Sequence, residues 1–246
     1  MILLPRFFFP PEALQAGTLT LAGEQFNHAR VLRLKTGDAV TVSDGCGTDY
    51  ACTVAAIGGS EITLQIGSAA RAESEPAVTC RIYMAFPKSD KLEHVIQKAT
   101  ELGAAEIIAF PSARCVSRPD EKSLRKKAER WQKIAASAAE QSGRGRIPAV
   151  RTLSSYAAAL AEAAGADLPV LFYENEAHRT FRAAIESAPF RTAALMTGPE
   201  GGFDAAEIAQ AQEAGLQICT LGTRILRCET APLCALSALM YASGEF

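Results

Sequence analysis

Through the first seventy residues the apolar positions come in short runs that alternate with polar ones and stop at Gly- or Asp-containing turns. These runs are Arg6 to Phe9, Thr18 to Leu21, Ala39 to Val42, Tyr50 to Val54 and Ile62 to Ile66. Runs of this kind predict strands, and their even spacing predicts a small β-barrel over residues 1–70. One stretch follows a different period: Phe26, Ala29, Leu32 and Leu34, with Val31, recur at helical spacing and end at the turn Lys35-Thr36-Gly37-Asp38, so a single helix decorates the barrel. From Gly67 to Ala77 the chain reads GSAARAESEPA, small, charged and without apolar period. That composition predicts a linker, placed at residues 71–77.

From Val78 the pattern changes to apolar runs separated by longer helical segments, the signature of βα units and a mostly parallel sheet, so residues 78–246 are expected to form an α/β domain. The strand candidates are Cys80 to Phe86, Glu106 to Phe110, Pro169 to Tyr173, Thr192 to Met196 and Leu216 to Thr220. Two helices carry their own punctuation. Asp90 with Glu93 opens one that Gly103 closes, and Asp204 with Glu207 opens another that Gly215 closes. The last helix, Ala231 to Tyr241, is apolar nearly all round and must be buried on every side, in its own core or against another subunit.

Composition narrows the class. At 246 residues, with 48% hydrophobic and 21% charged side chains, the chain has material for a packed core and lacks the polar excess of disorder. No apolar run approaches the roughly 18 to 20 residues that cross a bilayer, and the opening MILLPRFFFPP is too short and too Pro-interrupted for a secretory signal, so a cytoplasmic protein is expected. Its seven cysteines are odd in number and scattered, with no Cys-x-x-Cys or Cys/His spacing, which argues for reduced thiols and against a metal site.

The net charge of −2 hides an asymmetry: residues 1–150 hold 19 basic against 16 acidic side chains, and residues 151–246 hold 6 against 11. Basic residues gather at Arg6, His28, Arg30, Arg33 and Lys35 in the small barrel, and at Lys88 and Lys91 just beyond the linker. More stand at Arg118, along the helical face of Lys122, Lys126, Arg130 and Lys133, and at Arg144 and Arg146. One basic helical face is usually only a solvated surface, but several clusters in one half point to RNA. The RNA-contacting set is placed at Arg6, His28, Arg30, Arg33, Lys35, Lys88, Lys91, Arg118, Lys126, Arg144 and Arg146.

The most informative segment is Thr197-Gly198-Pro199-Glu200-Gly201-Gly202-Phe203, a glycine loop at the carboxyl end of a predicted strand, where open α/β sheets bind ligands. It has neither the dinucleotide nor the P-loop glycine spacing. The plain alternative is a tight turn needing positive φ. A second run, Leu221 to Pro232, follows the next strand; Thr230 would cap the helix after it and Pro232 fits the first turn. The three histidines stand far apart, and no nucleophile elbow or metal-binding helix motif is present, which leaves covalent hydrolases and metalloenzymes without support.

GPEGGF at 198–203 and LGTRILRCETAP at 221–232 resemble the second and third cofactor-loop motifs of the SPOUT methyltransferases. KSDKLEHVIQKATELG at 88–103, AAEQSGRGRIP at 138–148 and HARVLRLKTGD at 28–38 narrow the resemblance to the RsmE family of bacterial small-subunit ribosomal RNA methyltransferases, which act on N3 of a uridine in 16S rRNA. The similarity runs from Arg6 to the C-terminus. It implies an N-terminal PUA-like RNA-binding barrel and a C-terminal SPOUT-type α/β domain with a deep trefoil knot, which periodicity alone does not show. It further implies S-adenosylmethionine as cofactor, 16S rRNA as substrate, a homodimer and no metal.

The resemblance places the cofactor loops at Leu171, Phe172, Tyr173, Glu174 and Asn175, at Thr197 through Gly202, and at Leu221, Gly222, Arg224, Ile225, Leu226 and Arg227, with Thr230 beyond. Leu221, Ile225 and Leu226 would wall the adenine. A sulfonium methyl needs chiefly an aligned nucleophile, but uracil N3 is protonated at neutral pH. Either a carboxylate, Glu200 or Glu229, accepts that proton, or Arg224 or Arg227 stabilises the charge on the uracil carbonyls. The residues leave both open, with Arg227 and Glu200 in the lead and Asn175 orienting the base. The competing readings are a SPOUT enzyme acting on ribose or another base, a non-catalytic RNA-binding protein, and an α/β enzyme acting on a small metabolite.

Overall fold

The computed structural model describes residues 4–117 and 119–246. The chain divides into two compact units, residues 1–75 with 139–147, and residues 76–138 with 148–246.

The first unit holds β1 (Arg6–Phe8), β2 (Thr18–Ala22), α1 (Gly23–Val31), β3 (Ala39–Ser43), β4 (Thr48–Ile57) and β5 (Glu61–Arg71). The strands form one sheet in the order β1-β3-β4-β5-β2, antiparallel except for the β1–β3 pair. Every strand run of the sequence appears, but pairing of β1 with β2 does not close the barrel among the described residues. Alternation sets the inner face: Leu19, Leu21, Val40, Val42, Cys52, Val54, Ile62 and Leu64 are buried with Phe7, Leu14, and Phe26 and Ala29 of α1. Two register shifts in the β4–β5 ladder, at Tyr50/Cys52 and Val54/Ala56, add local twist.

Two expectations about the boundary need correction. Residues 67–71 continue β5, pairing as far as Arg71 with Thr48, because β4 offers a partner to a segment with no apolar period of its own. Residues 139–147 join the first unit, where the sequence pattern had kept them in the second. Gly145 O accepts from Gly47 N at 3.0 Å and from Ser43 Oγ at 2.9 Å, and Arg146 bridges to Cys46. The Arg144 guanidinium meets Glu75 at 2.7 Å with side chains 4% and 9% exposed. Gly145 is obligatory here, since a Cβ would collide with that of Ala72.

The second unit is built on six strands, β6 (Thr79–Ala85), β7 (Glu106–Phe110), β8 (Ala149–Thr152), β9 (Leu168–Phe172), β10 (Thr192–Thr197) and β11 (Gln217–Cys219). They pair in parallel throughout, in the order β11-β9-β10-β6-β7-β8. β6, β7, β9 and β10 are buried along nearly their whole length, which explains their continuous apolar runs. Pro169 sits inside β9 without breaking the sheet because the ladder with β11 begins only at Val170. The helices are α2 (Lys91–Glu101), α3 (Glu121–Ser142, to Ala138 in this unit), α4 (Tyr156–Ala163), α5 (Phe181–Glu186), α6 (Ala205–Glu213) and α7 (Thr230–Ala242).

The α6 capping box forms as expected, with Asp204 accepting from Glu207 N and Glu207 accepting from Asp204 N. The one expected at Asp90 does not. Ser89 is left-handed at φ +56°, Asp90 is bent away from extended geometry, and Glu93 turns outward to Arg130 at 2.6 Å. α7 starts one residue earlier than a Thr230 cap would allow, with Glu229 in the cap position. It is also not buried all round: Pro232, Ala235, Leu236, Leu239 and Met240 face the core, while Cys234, Ala238 and Tyr241 are exposed. No helix among the described residues is long and apolar enough to cross a membrane.

Candidate functional site

Because the six strands are parallel, every loop leaving a strand's carboxyl end emerges on one edge, and the neighbours β9, β10 and β11 bring three of the predicted segments side by side. The glycine loop turns tightly, Gly202 N donating to Pro199 O at 2.9 Å with Gly202 at φ +64°. Three other loops hold it. Lys88 N, after β6, donates to the Glu200 carboxylate at 3.1 Å. Arg114, after β7, donates to Gly201 O at 2.9 Å, and Ala113 N donates to the buried Glu207 carboxylate at 2.7 Å. Glu174, after β9, lies against Gly202 so closely that a Cβ there would collide with its carboxylate.

These contacts change the meaning of the glycines. A Cβ on Gly198 would press on Gly202 Cα at 3.2 Å and one on Gly201 would press on Arg114 Cβ at 3.1 Å. Their smallness is used by protein neighbours, and the tight-turn alternative accounts for Gly202. Gly222 differs: at φ +110° it faces open space. Thr197, 2% exposed at the end of β10, leaves its Oγ1 without a hydrogen-bond partner. A buried hydroxyl without a partner is unusual enough to require an explanation.

The loops after β9 and β11 are laced together. Tyr173 N donates to Cys219 O at 3.0 Å, Thr220 N to Arg179 O at 2.9 Å and Phe181 N to Thr220 O at 3.1 Å. The Thr220 hydroxyl both accepts from Gly222 N and donates to Gly222 O at 3.1 Å, and Asn175 donates to the Tyr173 hydroxyl at 3.0 Å.

One lysine ties the outer turns together. Lys91 Nζ stands 3.0 Å from Glu200 Oε1 and 3.2 Å from Glu229 Oε2, so the turn after β10 and the start of α7 share one cation. Hydrogen bonding to Glu200 raises the ammonium's pKa against partial desolvation, with Glu229 adding to it. Burial pushes the Glu200 carboxyl up, but Lys91 and the main-chain N–H groups of Glu200 and Lys88 outweigh it and hold it below its ordinary value. Glu229 is lowered by its own main-chain N–H, then, against burial, by Cys228 and Lys91. Cys228 donates to Glu229 at 3.2 Å; burial and the neighbouring carboxylates push its thiol up to about 12. Both carboxylates are therefore ionised and weakly basic near neutrality.

Of the expected cofactor positions, Leu171, Phe172, Thr197 and Pro199 are buried, and Tyr173, Gly198, Gly202, Leu221 and Leu226 are half-buried. Glu174, Asn175, Gly201, Gly222, Arg224, Arg227 and Thr230 are exposed. Ile225, expected as an adenine wall, is 85% exposed. In the basic set, Arg6 is spent on Asp49 at 2.8 Å and Arg144 on Glu75, each with a nearly buried side chain, and Lys91 is taken by its two carboxylates. Arg6 and Arg144 are corrected from RNA contacts to internal ties, because burial of a cation selects a carboxylate partner, and Lys91, about a quarter exposed, is engaged by Glu200 and Glu229. His28 lies 3.2 Å from Glu140. Arg30, Arg33, Lys35, Lys88, Lys126 and Arg146 are exposed, and Arg118 lies outside the described residues. No group of His, Cys, Asp and Glu among the described residues is arranged for a metal. The ties through Lys91, Arg114 and Glu207 were missed by sequence reading; the one signal was a lysine at the first position of a helix, the wrong end of its dipole.

Two family descriptions match the chain: "RNA methyltransferase domain" over residues 73–240 and "RNA methyltransferase PUA domain" over residues 21–67. Among curated proteins, the ribosomal RNA small subunit methyltransferase E of Bacillus subtilis is 37% identical over 233 residues, 92% of this chain and 91% of its own length. The protein of the same name from Synechocystis is 32% identical over 237 residues, 95% of this chain and 76% of its own. Among solved structures, the ribosomal RNA small subunit methyltransferase E of Neisseria gonorrhoeae bound to S-adenosyl methionine superposes with a TM-score of 0.83 at 31% identity, over 97% of both chains.

Proposed function

This chain belongs to the ribosomal RNA small subunit methyltransferase E family, and from that premise we propose that it moves the methyl group of S-adenosylmethionine to N3 of a uridine in 16S rRNA. The observation that carries the cofactor reading is the meeting of the loops after the neighbouring strands β11, β9 and β10 at one edge of the parallel sheet, with the unpartnered Thr197 hydroxyl at the end of β10 beneath them. The residues present suit such a ligand: the edge offers main-chain groups, the half-buried Tyr173, Leu221 and Leu226, and an open glycine at 222. When bound, S-adenosylmethionine supplies an electrophilic methyl on a sulfonium.

The chain's own residues have three tasks. The loop positions Leu171 to Tyr173, Thr197 to Gly202 and Leu221 to Leu226 hold the adenosine, Thr197 Oγ1 donating or accepting one bond that the free protein leaves unmade. Asn175, exposed beside Tyr173, orients the uracil edge, for which the base must leave its stack. At N3 the proton is lost to water while an exposed guanidinium, Arg227 before Arg224, stabilises the negative charge on the flanking carbonyls. Glu200 and Glu229 are poor proton acceptors here, because Lys91 and main-chain donors stabilise them as anions.

RNA phosphates are met by the exposed basic residues Arg30, Arg33, Lys35, Lys88, Lys126 and Arg146, and the first unit is the RNA-binding PUA-like domain. A trefoil knot, a homodimer and a cytoplasmic location complete the reading. The knot fits a strand order in which β10 enters between the earlier β9 and β6; a partner copy fits the outward apolar face of α7 at Cys234, Ala238 and Tyr241.

Calorimetric titration with S-adenosylmethionine, followed by mapping of the product on unmodified small subunits, tests the proposal. The expected result is saturable binding and a methyl group on uridine N3. No binding would remove the methyltransferase reading, and a methyl on ribose or another base would remove the N3 assignment.

A further inference from the structure

We propose that Lys91 is a positioning residue for the cofactor site, an electrostatic brace that sets the separation of the turn after β10 from the turn after β11. The inference rests on reading those turns as part of the S-adenosylmethionine site. Lys91 is the first residue of α2, where the partial positive charge of the helix end opposes a cation, and it is tolerated there because Glu200 and Glu229 both reach its ammonium. Neither carboxylate is a loose surface group: Glu200 also accepts from Lys88 N, and Glu229 accepts from Cys228. One carboxylate belongs to the glycine loop and the other ends the 220–229 segment, so a single side chain fixes the distance between two backbones that form no neighbouring strand pair, since β9 lies between β10 and β11.

Without the ammonium, two anchored carboxylates face each other, and like charges at one site drive one pKa up. The other titratable groups nearby are the Cys228 thiol, which stays neutral, and the Asp90, Glu93 and His94 side chains, which line a cleft of about 530 Å³ together with Lys91 and Glu229. Glu93 is paired with Arg130. Removing Lys91 therefore leaves an acidic cluster that only protonation can relieve, and the two turns part at neutral pH.

The test is S-adenosylmethionine affinity of the full chain, measured by calorimetry at about pH 8 and about pH 5.5, for wild type, Lys91→Arg, Lys91→Met and Lys91→Met/Glu229→Gln. Lys91→Met should bind on the order of tenfold more weakly at the higher pH, equivalent to about one pKa unit of coupling, and recover toward wild type at the lower. Lys91→Arg and the double variant should stay within about threefold of wild type at both. The affinity of Lys91→Met for small-subunit RNA and the salt dependence of that affinity should not change, because the ammonium is already paired with Glu200 and Glu229. Wild-type affinity serves as the control for His94 and for the reading of the site itself: if wild type does not bind, that reading fails. If wild type binds and Lys91→Met binds equally well, or binds weakly at both pH values with no rescue in the double variant, the brace is wrong. Trp131 fluorescence shows whether each variant is folded; should Lys91→Met unfold, the double variant and Lys91→Arg still decide the question.

Discussion

Replacing Thr197 with valine should make the ligand-free protein more stable and the cofactor complex weaker. Thr197 ends β10 at 2% exposure, and its Oγ1 meets no partner, so folding strips a hydroxyl of water without returning a hydrogen bond. That omission costs about 1 to 3 kcal/mol, and valine fills the same volume without a polar atom while favouring the strand. A gain of about 1 to 2 kcal/mol corresponds to a rise of about 2 to 8 °C in the melting temperature of a unit this size. If the hydroxyl is reserved for the ligand, the same free energy reappears as a loss of affinity for S-adenosylmethionine of about fivefold to thirtyfold. Urea unfolding followed by the single tryptophan, Trp131, buried in the second unit's part of α3, measures the first quantity, and calorimetry measures the second. Thr197→Ser keeps the hydroxyl and should keep the affinity. A less stable Thr197→Val, or a more stable one that binds as tightly as wild type, would refute the reasoning.

Arg144→Ala should destabilise the first unit by about 3 to 5 kcal/mol, because it strands Glu75 at 9% exposure; loss of hydrogen-exchange protection in β3 and β4 would report it. Charge reversal at Arg30, Arg33 and Lys126 should weaken RNA binding and flatten the slope of log affinity against log salt by about 0.7 to 0.9 for each phosphate no longer neutralised, whereas substitutions at Arg6 and Arg144 should leave the slope alone. Acid should destabilise the second unit: the pKa values of Glu162, Glu200 and Glu229 are lower in the folded chain, so their contribution is complete above the unfolded carboxylate value of about 4.3 and disappears as pH falls through the folded values. Urea midpoints between about pH 6 and pH 3 should show that loss, and Glu162→Gln, which weakens the partnership with Arg151, should make the profile shallower.

The parts of the fold legible in the sequence were those fixed by local chemistry. The α6 capping box, the glycine that follows that helix and the apolar runs of β6, β7, β9 and β10 all depend on residues a few positions apart or on burial of both sheet faces. What escaped depends on partners far along the chain. The segment 67–71 has no strand period, yet β4 makes a strand of it; 139–147 follows a helix of the second unit, yet Gly145 and Arg144 are held by Ala72 and Glu75. Asp90 and Glu93 have the spacing of a capping box, and the left-handed Ser89 before them prevents it. Counting basic residues could not tell a guanidinium spent on Asp49, as at Arg6, from an exposed one, as at Arg30.

The glycines of the loop after β10 have a different role from the one their spacing suggested. Glycines at a strand's carboxyl end suggest backbone left open to a ligand, but Gly201 and Gly202 are small because Arg114 and Glu174 press against them. Those contacts make the loop stiff, which is what a cofactor site needs if its geometry is to exist before the ligand arrives. One residue before the loop's first glycine, Thr197 carries a hydroxyl that the chain buries and leaves unpaired. Sequence alone puts Thr197 in that segment but cannot show its hydroxyl to be unpaired, because threonine at the end of a strand is ordinary. Only the crossing of β10 between β9 and β6, which seals the strand end on both sides while adjoining loops stay at the edge, makes it expensive and therefore informative.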